Sequence, residues 1–381
     1  MRIKILIAAD SFKGSLSSIE VAEYLEEGIS RIIDDVKIIK LSVSDGGEGC
    51  VDTVIDQTSG KKVFLNVRDP LGREIQSYYG IIDDDTAIIE MALASGLILV
   101  PEKDRNPIIT TTYGTGELIR HALNNGAKKI YIGLGGSATN DGGVGMAQAL
   151  GVSFKNNKGE EIKFGGGSLE LIESIDLSNR HPMLENVEII GISDVRNLLF
   201  GENGASFVFG AQKGSSQDDI KVLDNGLIHL CNKINEYLGI HVGDIPGGGA
   251  AGGLGAGIIA FIGGSLQPGV EKILDLIDFN SKVKDVDLVI TGEGSIDYQT
   301  KYGKVPVGVS KRAKEYSKNV IAVCGSIGEG IEDVYESGID LIISTINKPM
   351  SLNEAMRDSK SLMINAGETI GRLLLLINKK I

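Results

Sequence analysis

The stretch "VDLVITGEGSID" (286–297) decides how this chain is organised. It begins as a nearly continuous apolar run and then turns abruptly to Gly292, Glu293, Gly294, Ser295 and Asp297. A run of that kind predicts a strand covered on both faces, as in a parallel sheet between helices. The chain opens on the same pattern, "IKILIAADSFKG" (3–14). There Ser17 and Glu20 are spaced as a capping box, and Ile19, Ala22, Leu25, Ile29 and Ile32 follow along one helical face. "VKIIKLSV" (36–43) predicts a second strand and "GCVDTVIDQ" (49–57) a second helix. After residue 286 the rhythm continues through "NVIAVC" (319–324) and "DLIIST" (340–345), and a last helix opens at Ser351 with Glu354 as another capping box.

Five strands alternating with helices predict an α/β fold, a flavodoxin-like parallel sheet built from both ends of the chain, residues 1–60 and 283–381. The middle, residues 61–282, reads differently. "KKVFLNVRDPLGREIQSYYGII" (61–82) places two strand-like runs around Asp69-Pro70-Leu71-Gly72, a hairpin signal. Further strands in "AIIEMA", "KKIYIGL" and "VEIIGIS" and helices in "TGELIRHALNNG" and "GVGMAQALG" make this an inserted mixed α+β domain. The only low-complexity tract is "PGGGAAGGLGAG" (246–257).

The composition, 42% hydrophobic and 23% charged over 381 residues, is that of a globular protein of two domains. A formal net charge of -13 argues against a nucleic-acid partner, which needs a basic footprint. No run approaches the roughly twenty apolar residues of a membrane span. Cys50, Cys231 and Cys324 form no pair or metal motif, which fits the cytoplasm. The four histidines have no metal-ligand spacing and read as surface or packing residues.

In open parallel sheets ligands bind beyond the carboxyl ends of the strands, where the strand order reverses. In a 2-1-3-4-5 order three polar termini converge: Asp10-Ser11-Phe12-Lys13, Ser44-Asp45-Gly46-Gly47-Glu48 and the segment from Gly292 to Asp297. The inserted domain carries "GLGGSATNDGG" (133–143), with five glycines and no lysine, together with "SDVRNLLFGENGASFVFGAQKG" (193–214). Lys213 reads equally as a solvated lysine or a site cation. Glycine loops with carboxylates and few histidines suit phosphoryl transfer, which needs a backbone cradle, cations, Mg²⁺ ligands and a proton acceptor. The dinucleotide-like spacings at Gly133 and Gly247 sit in no clean βαβ unit, which counts against an NAD site.

Taken together and in order, these segments resemble the bacterial glycerate kinases of the glycerate 2-kinase type over essentially the whole chain. The resemblance implies two domains with the active site in the cleft between them. It implies ATP- and Mg²⁺-dependent phosphorylation of D-glycerate, most often to 2-phosphoglycerate. Under that reading Asp194, Asp297 and Lys13 are the catalytic candidates, and Asp45, Glu48 and Glu293 the metal candidates. Asp10, Ser11, Arg68, Gly135, Gly136, Ser137, Thr139, Asn140, Asp141, Gly247, Gly248, Gly249 and Lys304 are the candidates for substrate and phosphate. Four positions depart from the family pattern: Ser295 where a basic residue is usual, Leu198 for proline, Gly248 for alanine and Lys348 for arginine. A kinase for another small hydroxy acid, a 3-phosphoglycerate product and a nucleotide-binding regulator without turnover stay open, as does the oligomeric state.

Overall fold

The structure is a computed structural model that describes residues 2–378. Strands β1 (Ile3–Ala9) and β2 (Val36–Ser42) open the chain. The middle holds β3 (Lys61–Arg68), β4 (Glu74–Ile81), β5 (Thr86–Glu90), β6 (Lys129–Gly133), β7 (Ser153–Lys155), β8 (Ser174–Asp176), β9 (Glu188–Ile192) and β10 (Ser265–Gln267). Then β11 (Leu288–Ile296), β12 (Asn319–Ile327) and β13 (Leu341–Ser344) complete the set. The chain divides into two compact units, Met1–Asp45 with Val270–Ile381, and Gly46–Gly269.

In the terminal unit the sheet order is β13-β12-β11-β1-β2, all parallel, the 2-1-3-4-5 arrangement of a flavodoxin-like sheet. Ile5 of β1 sits level with Ile38 of β2 and with Leu288 of β11, and Ile5 to Ala9 are fully buried. The two foreseen capping boxes, Ser17 with Glu20 and Ser351 with Glu354, are both formed. The last helical stretch is two helices, Leu352–Arg357 and Ser359–Asn378, separated at Asp358. The longer of these lies on Ser18–Ser30 at a very close crossing: a Cβ on Gly28 would stand 2.1 Å from the Ile364 carbonyl oxygen.

The middle unit holds a mixed sheet in the order β10-β9-β6-β5-β4-β3. Its β10, β9, β6 and β5 run parallel, and β5, β4 and β3 antiparallel. The β3–β4 turn is held by Asp69: its carbonyl accepts from Gly72 N at 3.0 Å, and its buried carboxylate accepts from Leu71 N at 2.8 Å and pairs with Arg73. The core includes Ile89, Ile132, Met146 and an edge-to-face pair, Phe154 with Phe261, at 5.1 Å.

The unit boundaries lie at 45/46 and 269/270, where the sequence suggested about 60 and 282. The helix Cys50–Thr58 packs on β4 and β5, and Arg312 ties Glu271 and Asp275 into the terminal unit. The glycine tract contributes to a helix, Ala250–Ile262, whose residues Ala251 to Gly253 have left-handed backbone angles. Among the described residues no helix is long and apolar enough to cross a membrane.

The crossing at Gly28 has no room for a methyl group. Gly28→Ala should lower the unfolding free energy by about 1–3 kcal/mol, the usual cost of overpacking. Urea denaturation measures it, and an unchanged midpoint would contradict the close crossing.

Candidate functional site

At the carboxyl edge of the terminal sheet, β1 and β11 deliver Asp10 and Glu293 side by side. The Asp10 backbone N–H donates to the Gly292 carbonyl at 2.9 Å, and Ser11 N–H donates to the Asp10 carboxylate at 2.6 Å. Asp10 is 9% exposed. Its pKa is pushed up to about 7, first by burial and then by the negative field of Asp45, with a smaller push from Glu293; Ser11 N–H and Lys13 act in the opposite direction. Burial also raises the pKa of Glu293, against Lys304 and a 2.6 Å hydrogen bond from Thr300 Oγ1. Lys304 Nζ stands 3.5 Å from Glu293 Oε2 and 4.0 Å from Asp297 Oδ1, at the start of the helix Val305–Glu315. Asp297 Oδ1 accepts from Gln299 N at 2.8 Å. Sequence candidates Asp10, Ser11, Lys13, Asp45, Glu293, Asp297 and Lys304 therefore all belong to this unit. Ser295, where a basic residue is usual in the family, has its hydroxyl paired with that of Ser326 at 3.0 Å.

In the middle unit the loop 134–143 joins β6 to the helix Val144–Ala149. Asp141 is 1% exposed and works inside the loop. Its carboxylate accepts from the backbone N–H groups of Thr112 at 2.8 Å, Gly143 at 3.1 Å and Gly145 at 3.3 Å, and from the Thr112 hydroxyl. Burial nevertheless raises its pKa. Asn140 Nδ2 donates to Ser206 Oγ at 3.0 Å, while Asn140 Oδ1 and Thr139 Oγ1 are buried with no hydrogen-bond partner in the structure.

The glycine-rich tract packs directly on this loop. Gly252, at φ 67°, accepts from Gly142 N at 3.0 Å, and a Cβ there would stand 2.0 Å from the Thr139 carbonyl oxygen. Gly249 N donates to the Asn197 carbonyl at 3.0 Å, which brings in the segment after β9. Gly247 and Gly248 continue the same turn: Gly247 accepts from Ala250 N at 2.9 Å, and Gly248 donates to the Ile245 carbonyl at 2.9 Å. Gly135 lies against Gly47. Three glycine-containing segments, those holding Gly135–Ser137, Asn197 and Gly247–Gly249, are thus gathered in one unit.

Glu90 was not a candidate from the sequence, and Lys213 was left open there between a solvated lysine and a site cation. Lys213 is 2% exposed, and its ammonium donates to Ser137 Oγ and to the Thr139 carbonyl, both at 2.8 Å. Burial drives its pKa down to about 7 against the favourable field of Asp141. The solvated alternative for this lysine is excluded by that burial. Glu90 ends β5 level with Gly133 and is 1% exposed. It accepts from Gly49 N at 3.0 Å at the start of the helix Cys50–Thr58, a stabilising place for a carboxylate. Burial raises its pKa to about 7, with Asp52 and Glu48 adding to the push. An acid closing an otherwise apolar strand, "TAIIE", was the available signal.

The other candidates are more dispersed. Asp194, half-buried, accepts from Gly269 N at 2.9 Å. Arg68 is exposed, with its guanidinium 5.0 Å from the Tyr113 ring centroid and its backbone N–H donating to Glu117 at 2.7 Å. Glu48 belongs to the middle unit, whereas Asp45 and Glu293 belong to the terminal one. Among the described residues no group of three or more His, Cys, Asp and Glu side chains is placed to hold a metal ion by itself.

Carboxylates, lysines and tight glycine turns at the ends of parallel strands are the equipment of a phosphotransferase. Residues 5–375 match the glycerate kinase family, and the chain belongs to that family. It is 48% identical to a glycerate kinase of Halalkalibacterium halodurans, over 96% of this chain and 97% of that one. It is 46% identical to the glycerate 2-kinase of Escherichia coli (strain K12), over 98% of each chain. A crystal structure from Salmonella typhimurium LT2, described provisionally as glycerate kinase 2, superposes with a TM-score of 0.85 at 43% identity over 100% of both chains. Membership makes this chain an ATP-dependent kinase with a hydroxyl acceptor.

Two titrations follow from the buried charges. Asp10 binds its proton up to about pH 7 when folded but only to about 3.8 when unfolded, so its contribution to stability falls as pH rises through that window. Asp10→Asn should therefore raise the urea-unfolding free energy near neutral pH by about 1–2 kcal/mol while lowering turnover; a loss of stability would contradict the buried, mutually repelling cluster. Lys213 has the opposite behaviour. Its pKa is about 7 folded against 10.5 unfolded, so the unfolded chain binds the extra proton and stability rises with pH across that interval. Lys213→Met should abolish this rise in urea denaturation at neutral and alkaline pH, and a variant with an unchanged slope would refute it.

Proposed function

We propose that this chain transfers the γ-phosphoryl group of ATP to the 2-hydroxyl of D-glycerate, giving 2-phosphoglycerate. The observation that carries the position of transfer is the 46% identity, over 98% of the chain, to the Escherichia coli protein named glycerate 2-kinase. Phosphoryl transfer leaves the protein little covalent work and much positioning and charge compensation. Lys13 and Lys304 offset the charge of phosphate or of the glycerate carboxylate, and Arg68 is a further cation for that carboxylate. Asp194 or Asp297 orients the hydroxyl and receives its proton. The backbone of Gly135, Gly136 and Ser137 and of Gly247, Gly248 and Gly249 cradles anionic oxygens. Thr139 and Asn140 contact substrate, and Asp141 and Lys213 hold the loop that presents them.

Mg²⁺ fits the terminal unit on electrostatic grounds. The field of Asp45 and Glu293 around Asp10 is one that a cation relieves, and Mg²⁺ in kinase sites commonly uses only one or two carboxylates beside phosphate oxygens. When bound it neutralises charge on the phosphates. Asp45 and Glu293 are its proposed ligands beside phosphate oxygens, with Glu48 the weaker candidate because it belongs to the other unit. Cys50, Cys231 and Cys324 form no disulfide, which accords with a cytoplasmic enzyme.

The test is ADP release with Mg-ATP and D-glycerate, with the product passed to enolase in the absence of a mutase. Immediate consumption by enolase is expected; ADP release that enolase cannot follow would place the phosphate on the 3-hydroxyl. L-Glycerate, glycolate and tartronate, run in parallel, should turn over far more slowly. Asp194→Asn should keep its unfolding midpoint and lose about 100-fold or more in kcat, as removal of a proton acceptor does.

A further inference from the structure

One cavity of the terminal unit has a chemistry that neither glycerate nor a phosphate chain needs. It encloses about 570 Å³ beyond the carboxyl ends of β1, β11, β12 and β13. Phe12, Leu16, Met350, Met356 and Met363 supply its apolar lining, while Ser326 and Thr345 are among its few polar groups. Lys13 and Gly294 also border it, following β1 and lying near the end of β11. The strand order reverses between β1 and β11, the position where open parallel sheets hold their ligands.

A cavity of this volume lies within the range of about 300–1,000 Å³ for small-molecule sites, which pair mostly apolar walls with a few fixed polar groups. Of the substrates in the reaction proposed above, glycerate is a small polar anion, and the polyphosphate is charged throughout. The nucleoside alone brings a broad, flat, weakly polar surface. Methionine thioethers suit such a face because they are polarisable and adapt to aromatic rings. The Met356 methyl is close to the loop that carries Lys13: a Cβ on Gly14 would stand 3.1 Å from Met356 Cε. Leu352, on the cavity wall, is 75% exposed, an apolar side chain for a bound base to cover.

We propose that this cavity binds the adenine base and ribose of the nucleotide, with the phosphates leaving it past Lys13 and Gly294. The proposal rests on the reading that ATP is the phosphoryl donor. It separates the nucleoside contact, which is apolar and confined to the terminal unit, from the polar contacts assigned to phosphate and acceptor.

The test uses the full chain labelled with ¹³C at its methionine methyls, the signals of Met350, Met356 and Met363 being assigned by single Met→Leu variants. A non-hydrolysable ATP analogue is added with Mg²⁺, and its binding is followed in parallel by calorimetry. The ring current of the base should move the methyl signals of Met350, Met356 and Met363 while leaving Met91, Met146 and Met183 in place. Inorganic tripolyphosphate, which has no base, should leave all six in place. Calorimetric binding with those three methyls unmoved would overturn the assignment but not the kinase reading; no binding at all would overturn both. Ala355→Trp, which fills the cavity, should raise KM for ATP at least tenfold and leave KM for D-glycerate unchanged, with circular dichroism confirming the fold. An equal rise in both constants, or in neither, would also overturn the assignment.

Discussion

Everything in the terminal unit follows from β1 lying between β2 and β11, parallel to both. Parallel pairing brings the carboxyl ends of all three strands to one edge, so the residues that follow them must share that edge. Here those residues are acids: Asp10 after β1, Asp45 after β2 and Glu293 in the carboxyl-terminal part of β11. Asp10 and Glu293 are buried and Asp45 is half-buried beside them, and burial with the neighbouring negative charge raises the pKa of Asp10 and of Glu293. The protein answers with Lys13, Lys304 and the Ser11 N–H, and the balance leaves the Asp10 carboxyl near neutrality in its proton affinity.

The middle unit solves the converse problem with one buried cation. Lys213 reaches across to Ser137 and Thr139 in a loop whose other end is fixed by Asp141, so charge of each sign stabilises a segment too rich in glycine to hold its own shape. A desolvated lysine costs stability, and that cost is tolerated where the geometry of a loop matters more than its folding energy. Gly252 makes the same point without charge, because its position against the Thr139 carbonyl admits no side chain.

The sequence carried the fold well because the deciding signals are periodic and local. Apolar runs ending in polar turns marked β1, β2, β11, β12 and β13, and Asp69-Pro70-Leu71-Gly72 marked the hairpin. Partners of helices were less legible. Cys50–Thr58 has an apolar face that suits either unit, and only the folded chain shows that it lies on β4 and β5. The tract 246–257 was legible only as a low-complexity segment, and in the fold Ala251 to Gly253 take left-handed angles that kink the helical stretch Ala250–Ile262. Among the site candidates, the sheet-edge acids were visible because strand ends are visible. Lys213 was legible only as an open choice, since nothing in its local sequence tells whether water or protein surrounds it; the signal for Glu90 was the acid that ends the strand "TAIIE".

The central claim is that Asp10, Asp45 and Glu293 form one electrostatic unit at the edge of the terminal sheet. The most direct measurement is the pH titration of the Asp10 carboxyl carbon by NMR in the wild-type protein and in Asp45→Asn. The account predicts a midpoint about 7 in the wild type and a clearly lower one in the variant. A wild-type midpoint near the ordinary 3.8, or one indifferent to Asp45, would contradict it.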